Sequence, residues 1–196
     1  MRIECDAIVV GVRTHGEHGA IVRLLTPDHG LIAGYVRGGR SRHLRPILSP
    51  GNLVKAELRA RIETQLPALT VEMVRARTAL LGEPLAAAAI EWTTALAAAS
   101  LPEGQAYARI HAALDGVLTA IESASAARDW AAALVGYEEV VLAELGFGAS
   151  PSAQGDAMSA LRRNGTRLAQ NILTERRARP LAARDRLVER LARALA

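Results

Sequence analysis

The sequence predicts an α+β fold, a small five-stranded barrel followed by an all-helical domain. Three observations carry this. Five short apolar runs recur at a spacing of about ten residues through the first 80 positions. Glycine and proline turn signals separate them. From about Glu83 alanine and leucine dominate and glycine becomes sparse. The boundary is expected near residues 78–84, giving domains 1–80 and 81–196.

Ala7 to Val10 is the first apolar run, and Gly11 to Gly19 is rich in glycine, which reads as a turn. Ala20 to Leu25 is the second run. Pro27-Asp28-His29-Gly30 is a turn. Leu31 to Val36 is the third run, followed by a glycine-arginine loop over Arg37 to Arg45. After Pro50-Gly51-Asn52, the segment Leu53 to Ile62 alternates apolar and polar residues, the period of a strand. Gln65 to Val74 supplies the fifth run. A Greek-key barrel is the natural closure for five short strands, because it hides their edges.

Pro84 suits the first turn of a helix, and Leu85 to Ser100 reads as that helix. Glu103 to Ile121 is expected as the second, with Ala106, Ile110, Leu114, Val117, Leu118 and Ile121 on one stripe. Ala127 to Leu145 is the third, with Gly146 as its cap. Gly148 to Gly155 reads as a linker, Asp156 to Asn171 as a fourth helix, and Pro180 to Leu195 as a fifth.

Composition narrows the classes. No apolar run approaches the roughly 18 residues of a membrane span. The start, MRIECDAIVV, lacks a long apolar region and a small-residue cleavage site, so a cytoplasmic address is expected. The one cysteine, Cys5, forms no intrachain disulfide or multi-cysteine zinc site and reads as a buried, inert thiol in a first strand. Charge is segregated. Residues 1–80 hold 12 Arg and Lys against 7 Asp and Glu, residues 81–155 hold 2 against 9, and residues 156–196 hold 10 against 4. Two basic segments flanking an acidic one suggest a polyanion partner.

Two stretches, Asp6 to Gly30 (DAIVVGVRTHGEHGAIVRLLTPDHG) and Gly34 to Asn52 (GYVRGGRSRHLRPILSPGN), resemble the RecO family of recombination mediators. The shared order is a strand, Arg13, Gly16-Glu17, a strand ending Leu25-Thr26, Gly30, and a Gly-Arg loop over Val36 to Arg42. Trp130 to Gly148 (WAAALVGYEEVVLAELGFG) is similar to a family segment ending Leu-Gly-Phe-Gly. The resemblance implies an oligonucleotide-binding (OB) barrel on a helical domain, without catalysis or cofactor. It implies binding of single- and double-stranded DNA, annealing of complementary strands, and a place in recombinational repair of the RecF type. Implied partners are RecR, the C-terminal tail of single-stranded DNA-binding protein, and RecA, which it helps load. The implied location is nucleoid-associated. Many members carry a longer segment after Leu-Gly-Phe-Gly, some with four cysteines. Here that module is expected to be missing after Gly148, and no structural metal carries over.

The chemistry of the residues gives candidates. Arg37, Arg40, Arg42 and Arg45 place four cations within nine residues. Gly38 and Gly39 allow close backbone approach to a ligand, Ser41 adds a hydroxyl, and His43 joins when protonated. Cations and bare amides are the chemistry of phosphate contact. Arg13, Arg23, Lys55, Arg59 and Arg61 lie on or beside expected strands, and Arg59 and Arg61 share a face; each alone reads first as a surface charge, and a basic track across the barrel is the alternative. Tyr35 is the one aromatic residue of positions 1–80, so binding should be mostly electrostatic. Neutralising about five phosphates gives a log–log salt slope near −3.5 on single strands.

Other features weigh against chemistry. His15, Glu17 and His18 lack a completing ligand, and Glu17 is expected to anchor its loop. Asp6, Glu17 and Asp28 lack the context of a nuclease. Trp92, Trp130 and Tyr137 read first as core. A groove near Arg128 and Trp130 is a candidate for the acidic, hydrophobic-ended tail of single-stranded DNA-binding protein. The C-terminal arginines, Arg162 to Arg193, form either a solvated face or a second DNA patch. A protein-binding scaffold, an RNA-binding barrel and a nuclease are the alternatives to a DNA-binding mediator.

Overall fold

One long strand serves two neighbours at the start of the chain. Strand β1 (Arg2–His15) pairs with β4 (Leu53–Arg59) over Arg2 to Ile8 and with β2 (Gly19–Thr26) over Ile8 to His15. A bulge at Val9/Gly11 lets it bend between the two. Strand β3 (Gly30–Val36) lies antiparallel to β2, and β5 (Ala68–Arg75) lies antiparallel to β4. The order β1-β2-β3-β5-β4 closes into a barrel. Its β3–β5 seam is narrow, a single parallel pairing of Tyr35 with Ala68. This is the five-stranded, partly open OB barrel. The computed structural model describes all residues except 1, 61, 63, 64, 149–155 and 196, and the side chain of Arg176 is likewise outside the description.

The barrel interior follows from strand alternation. Val22 and Leu24, Val54, Ala56 and Leu58, and Leu69 and Val71 all point inward. Each fully buried Val or Leu contributes about 1.5–3 kcal/mol. The loop after β3 contains a short helix, α1 (Leu44–Ile47), and the following Leu48 is buried with the barrel core.

Several boundaries differ from expectation. Residues 11–15 belong to β1, because their pairing with β2 outweighs the turn-forming glycines, and only residues 16–18 turn. Strand β4 ends at Arg59 rather than Ile62, and β5 begins at Ala68 rather than Gln65. The helix expected from Glu103 begins at Ala108. Instead the Gly104 N–H donates to the Leu31 carbonyl (3.0 Å), and Glu103 bridges to Leu31. Gly104 takes a φ of 75°, which ends any helical path there. The chain therefore forms one unit from Met1–Gly82 with Leu101–Ala108, and a second from Glu83–Ser100 with Arg109–Ala196.

The second unit holds α2 (Pro84–Ser100), α3 (Ala108–Ser123), α4 (Ala127–Glu144), α5 (Ala157–Asn171) and α6 (Leu181–Leu195). Helix α4 closes with the Phe147 N–H on the Leu142 carbonyl (2.7 Å), a Schellman closure around Gly146. Asp156 caps α5, its carboxylate accepting from the Ser159 N–H (2.6 Å). No described helix is long and apolar enough to cross a membrane.

A fully buried ion pair ties four of these helices together. Arg184 on α6 donates to both carboxylate oxygens of Glu138 on α4, at 2.8 and 2.9 Å. The Trp92 indole N–H on α2 donates to the same carboxylate (3.0 Å). Arg184 also donates to the Leu161 carbonyl on α5, and its guanidinium lies 5.6 Å from the centre of the Trp92 ring. Burial pushes the Glu138 carboxyl upward, and the contacts with Arg184 and Trp92 pull against it. Arg184 was expected with the surface arginines of the last helix. Instead it faces the core, because its position in the α6 repeat falls on the apolar face with Leu187 and Leu191.

Removing one member of a buried pair leaves the other charge uncompensated. Arg184→Met should therefore cost roughly 3–5 kcal/mol, read from the urea unfolding midpoint of the full chain. Arg186→Ala, which breaks an exposed 3.4 Å pair with Glu91, should leave that midpoint nearly unmoved.

Candidate nucleic-acid interface

The glycine-arginine loop is a folded ledge on the barrel. Gly38 turns the chain with φ 69°. Gly39 is buried, and a Cβ placed there would lie 2.7 Å from that of Ala20 on β2. The close approach that Gly39 permits is to the barrel wall at Ala20. The Ser41 hydroxyl is likewise occupied, accepting from the Leu44 N–H (3.2 Å) at the start of α1. Arg40 donates to the Glu17 backbone carbonyl (2.7 Å), which ties the ledge to the β1–β2 turn. The Glu17 carboxylate was the expected anchor; it is exposed, and its main chain does the anchoring.

The far end of the ledge is fixed by Asn52, a residue the sequence did not single out. Its buried side chain donates to the carbonyls of Pro46 (2.7 Å) and Ile47 (3.1 Å) and accepts from the Arg77 N–H (2.8 Å). The Arg77 guanidinium is 1% exposed and donates to the Gly51 carbonyl (2.8 Å). Gly51 and Asn52 also exchange backbone hydrogen bonds with Val9 at the β1 bulge, at 2.8 and 2.9 Å. Arg45 therefore sits on a helical turn bolted to the barrel, within the glycine-arginine loop that the sequence shows.

Arg37, Arg40, Arg42 and Arg45 all stand exposed on this ledge, with exposed His43 among them. Among the described residues no carboxylate pairs with Arg37, Arg42 or Arg45. Below the ledge is a cleft of about 440 Å³ at the barrel mouth, lined by Val12, Thr14, Arg40, Arg45, Leu48 and Ser49 among others. A second depression of about 380 Å³ is lined by Arg42, Arg45, Pro46, Ser49 and Thr78.

The remaining candidates lie elsewhere. Arg13 and Arg23 fall on the outer face of β1–β2, since Val12, Thr14, Val22 and Leu24 take the alternate positions. Arg23 is partly buried and pairs with Glu103 at 3.4 Å. Arg59 donates to Glu57 at 2.7 and 2.9 Å, and Arg2 reaches the same carboxylate at 2.8 Å. Those hydrogen bonds, Arg59's first, hold the Glu57 carboxyl below its usual range. Lys55 pairs with Glu4 at 3.0 Å, which raises the ammonium. A basic track through Lys55 and Arg59 is thus neutralised by facing carboxylates. Arg61 lies outside the described residues.

Trp130 is 4% exposed, in the core of the helical unit, and its ring offers no surface anchor. Arg128 is exposed beside Asp129 (4.0 Å). Among the C-terminal arginines, Arg167 donates to the Phe147 carbonyl, Arg190 to the Pro84 carbonyl (2.9 Å) and Arg193 pairs with Glu189 (3.4 Å). Arg162, Arg163, Arg177 and Arg179 are exposed. Partial burial, then Asp6 and Asp28, push the Cys5 thiol upward, so it stays protonated. No group of three or more His, Cys, Asp or Glu among the described residues is placed to hold a metal.

The chain matches two family models, "Recombination protein O N terminal" over residues 1–77 and "Recombination protein O C terminal" over residues 81–195. It is 40% identical over 149 residues to the DNA repair protein RecO of Phenylobacterium zucineum, covering 76% of this chain and 60% of that protein. It is 44% identical over 144 residues to the DNA repair protein RecO of Rhodospirillum centenum, covering 73% of this chain and 56% of that protein. The same comparison with Jannaschia sp. gives 40% over 148 residues, covering 73% and 57%. The matched span is therefore under two thirds of each relative. The segment expected to be short after Gly148 falls on residues 149–155, outside the described residues.

Asn52→Ala should free α1 from the barrel. It strips three buried hydrogen bonds, so a loss of about 3 kcal/mol is expected. Amide exchange at Leu48 and Ser49 should accelerate more than in β2 or β3. Uniform acceleration throughout the barrel would show that Asn52 holds the whole fold rather than the ledge.

Proposed function

Because the chain belongs to the RecO family of DNA repair proteins, we propose that it is a non-catalytic DNA-binding mediator that grips the sugar–phosphate backbone with the 37–45 ledge. The carrying observation is that Arg37, Arg42 and Arg45 stand exposed on a rigid turn without paired carboxylates among the described residues. Elsewhere on the barrel, Arg2, Arg23, Lys55 and Arg59 each meet a carboxylate. A ledge held in place loses little conformational freedom when it meets a phosphate chain. Guanidinium groups take phosphate oxygens in pairs and carry no sequence information, which suits action at any damaged site.

On this reading the protein binds single- and double-stranded DNA and accelerates annealing by screening two phosphate chains from each other. It acts in recombinational repair of the RecF type, helping to load RecA onto protein-coated single strands in the cytoplasm, at the nucleoid. Partners in that role are RecR and the tail of single-stranded DNA-binding protein. The tail's site is not at the Trp130 ring, which is buried; exposed Arg128 remains a candidate for its acidic residues. A protein-only scaffold is the second reading, favoured by the acidic middle segment.

The test separates the ledge from the neutralised arginines. Arg37→Ala/Arg42→Ala/Arg45→Ala should weaken DNA binding and make the log–log salt slope on single strands shallower by about 2. Arg59→Ala should change neither. Annealing of complementary strands should need no nucleotide and should fall with the triple variant. Unchanged salt-dependent binding by the triple variant would sink the ledge as the contact, and absence of DNA binding by the wild type at low salt would favour the scaffold.

A further inference from the structure

The cleft beneath the ledge has a composition that phosphate contact does not explain. Its wall combines apolar surface from Val12, Ala20, Leu48 and Pro50 with the hydroxyl-bearing Thr14 and Ser49, and Arg40 and Arg45 lie at its edge. Val12 is 42% exposed, an apolar side chain turned into an open barrel mouth. At about 440 Å³ the cleft lies within the roughly 300–1,000 Å³ of small-ligand sites.

Resting on the DNA-binding reading, the geometry points to a pocket for one unpaired nucleobase of a single strand whose phosphates lie on the ledge. The match is chemical. A base has apolar faces and polar edges, and the cleft offers apolar walls with two hydroxyls. A hydroxyl both donates and accepts, so Thr14 and Ser49 accommodate the edge of any base. Arg40 and Arg45 sit where the flanking phosphates of that nucleotide would fall. Arg40 is already oriented by its 2.7 Å bond to the Glu17 carbonyl, and a guanidinium keeps further N–H groups for a second acceptor. The outer face of β2–β3, where OB barrels often receive a strand, is less suited here. There Glu103 pairs with Arg23, and the segment 101–107 bonds along Leu31. Tyr35 is on that outer face as well, edge-on to His15 at 5.9 Å, so the base at the ledge is buried among aliphatic groups rather than stacked on an aromatic ring. A duplex keeps its bases paired and cannot fill the cleft.

The experiment compares oligo-dT with a tetrahydrofuran abasic strand of equal length and charge, using the full-length chain. The intact strand should bind about tenfold tighter, the scale of burying one apolar side-chain-sized surface. Val12→Phe fills the cleft and leaves every arginine in place. It should lower oligo-dT binding to the abasic level and keep the salt slope. Thr14→Leu should act likewise, and thermal unfolding checks that both variants fold. A 2-aminopurine within the strand should change fluorescence on binding wild type and not Val12→Phe. Equal binding of intact and abasic strands, or a gap that survives both filling variants, overturns the pocket and leaves phosphate binding standing. Loss of binding to an acidic peptide with an apolar last residue on Val12→Phe, with the base gap unchanged, assigns the cleft to a protein and overturns it too. If neither strand binds at low salt, the DNA-binding reading itself fails.

Discussion

The buried amide of Asn52 decides where the arginines of the ledge can be. A loop of 16 residues between β3 and β4, over positions 37–52, would otherwise sample many conformations, and cations spread over such an ensemble repel one another. Asn52 holds the carbonyls of α1 with its amide nitrogen and the main chain of Arg77 with its oxygen. Arg77 then reaches Gly51, and Gly51 and Asn52 join the bulge of β1. One polar side chain thus connects the loop, the barrel's first strand and the segment leaving β5. The Asn52 side chain is itself buried, so each of its bonds would be costly to leave unmade.

The bulge and the ledge are parts of one arrangement. Without the extra residue between Val9 and Gly11, β1 could not turn from β4 to β2, and Val9 would not present its main chain to residues 51 and 52. The same bend brings Val12 and Thr14 to the open mouth, where they become one wall of the cleft. Gly39 supplies the opposite constraint, since only a residue without a Cβ lets the loop descend onto Ala20. Backbone geometry therefore creates both the display of charge and the hollow beside it.

Much of the architecture was readable from residue patterns. Val54, Ala56 and Leu58 of the expected alternation are buried in β4, and Ile110, Leu114, Val117, Leu118 and Ile121 of the expected stripe are buried in α3, whereas Ile62 and Ala106 lie beyond those elements and are exposed. Boundaries failed where a tertiary contact opposed local preference. Residues 11–15 look like a turn by composition but gain a strand partner in β2. Glu103 looks like a helix start, yet the chain first returns to Leu31. In the site, the cluster of arginines was legible because charge density is a property of the sequence. Which arginines remain unpaired was not, because Glu57, Glu4 and Glu103 neutralise Arg59, Lys55 and Arg23 across 2, 51 and 80 positions of sequence. Asn52 gave no signal, since an asparagine after Pro50-Gly51 reads as a turn residue.

The two units solve the same problem of buried polarity in opposite ways. In the barrel a neutral amide fixes a surface loop that has to stay charged and wet. In the helical unit a charge pair is sealed inside, with Glu138 and Arg184 matched by Trp92 and the Leu161 carbonyl. A sealed pair adds little net stability over well-packed apolar residues, and loss of either partner leaves the other charge buried without compensation. Arginine is thus used for contrasting ends in one chain. At position 184 it is a core residue whose charge is cancelled within the fold, and at positions 37, 42 and 45 it stands exposed with no carboxylate facing it among the described residues. Counting basic residues overstates the interface for that reason; the carboxylate or carbonyl facing each guanidinium determines which of them a polyanion can meet.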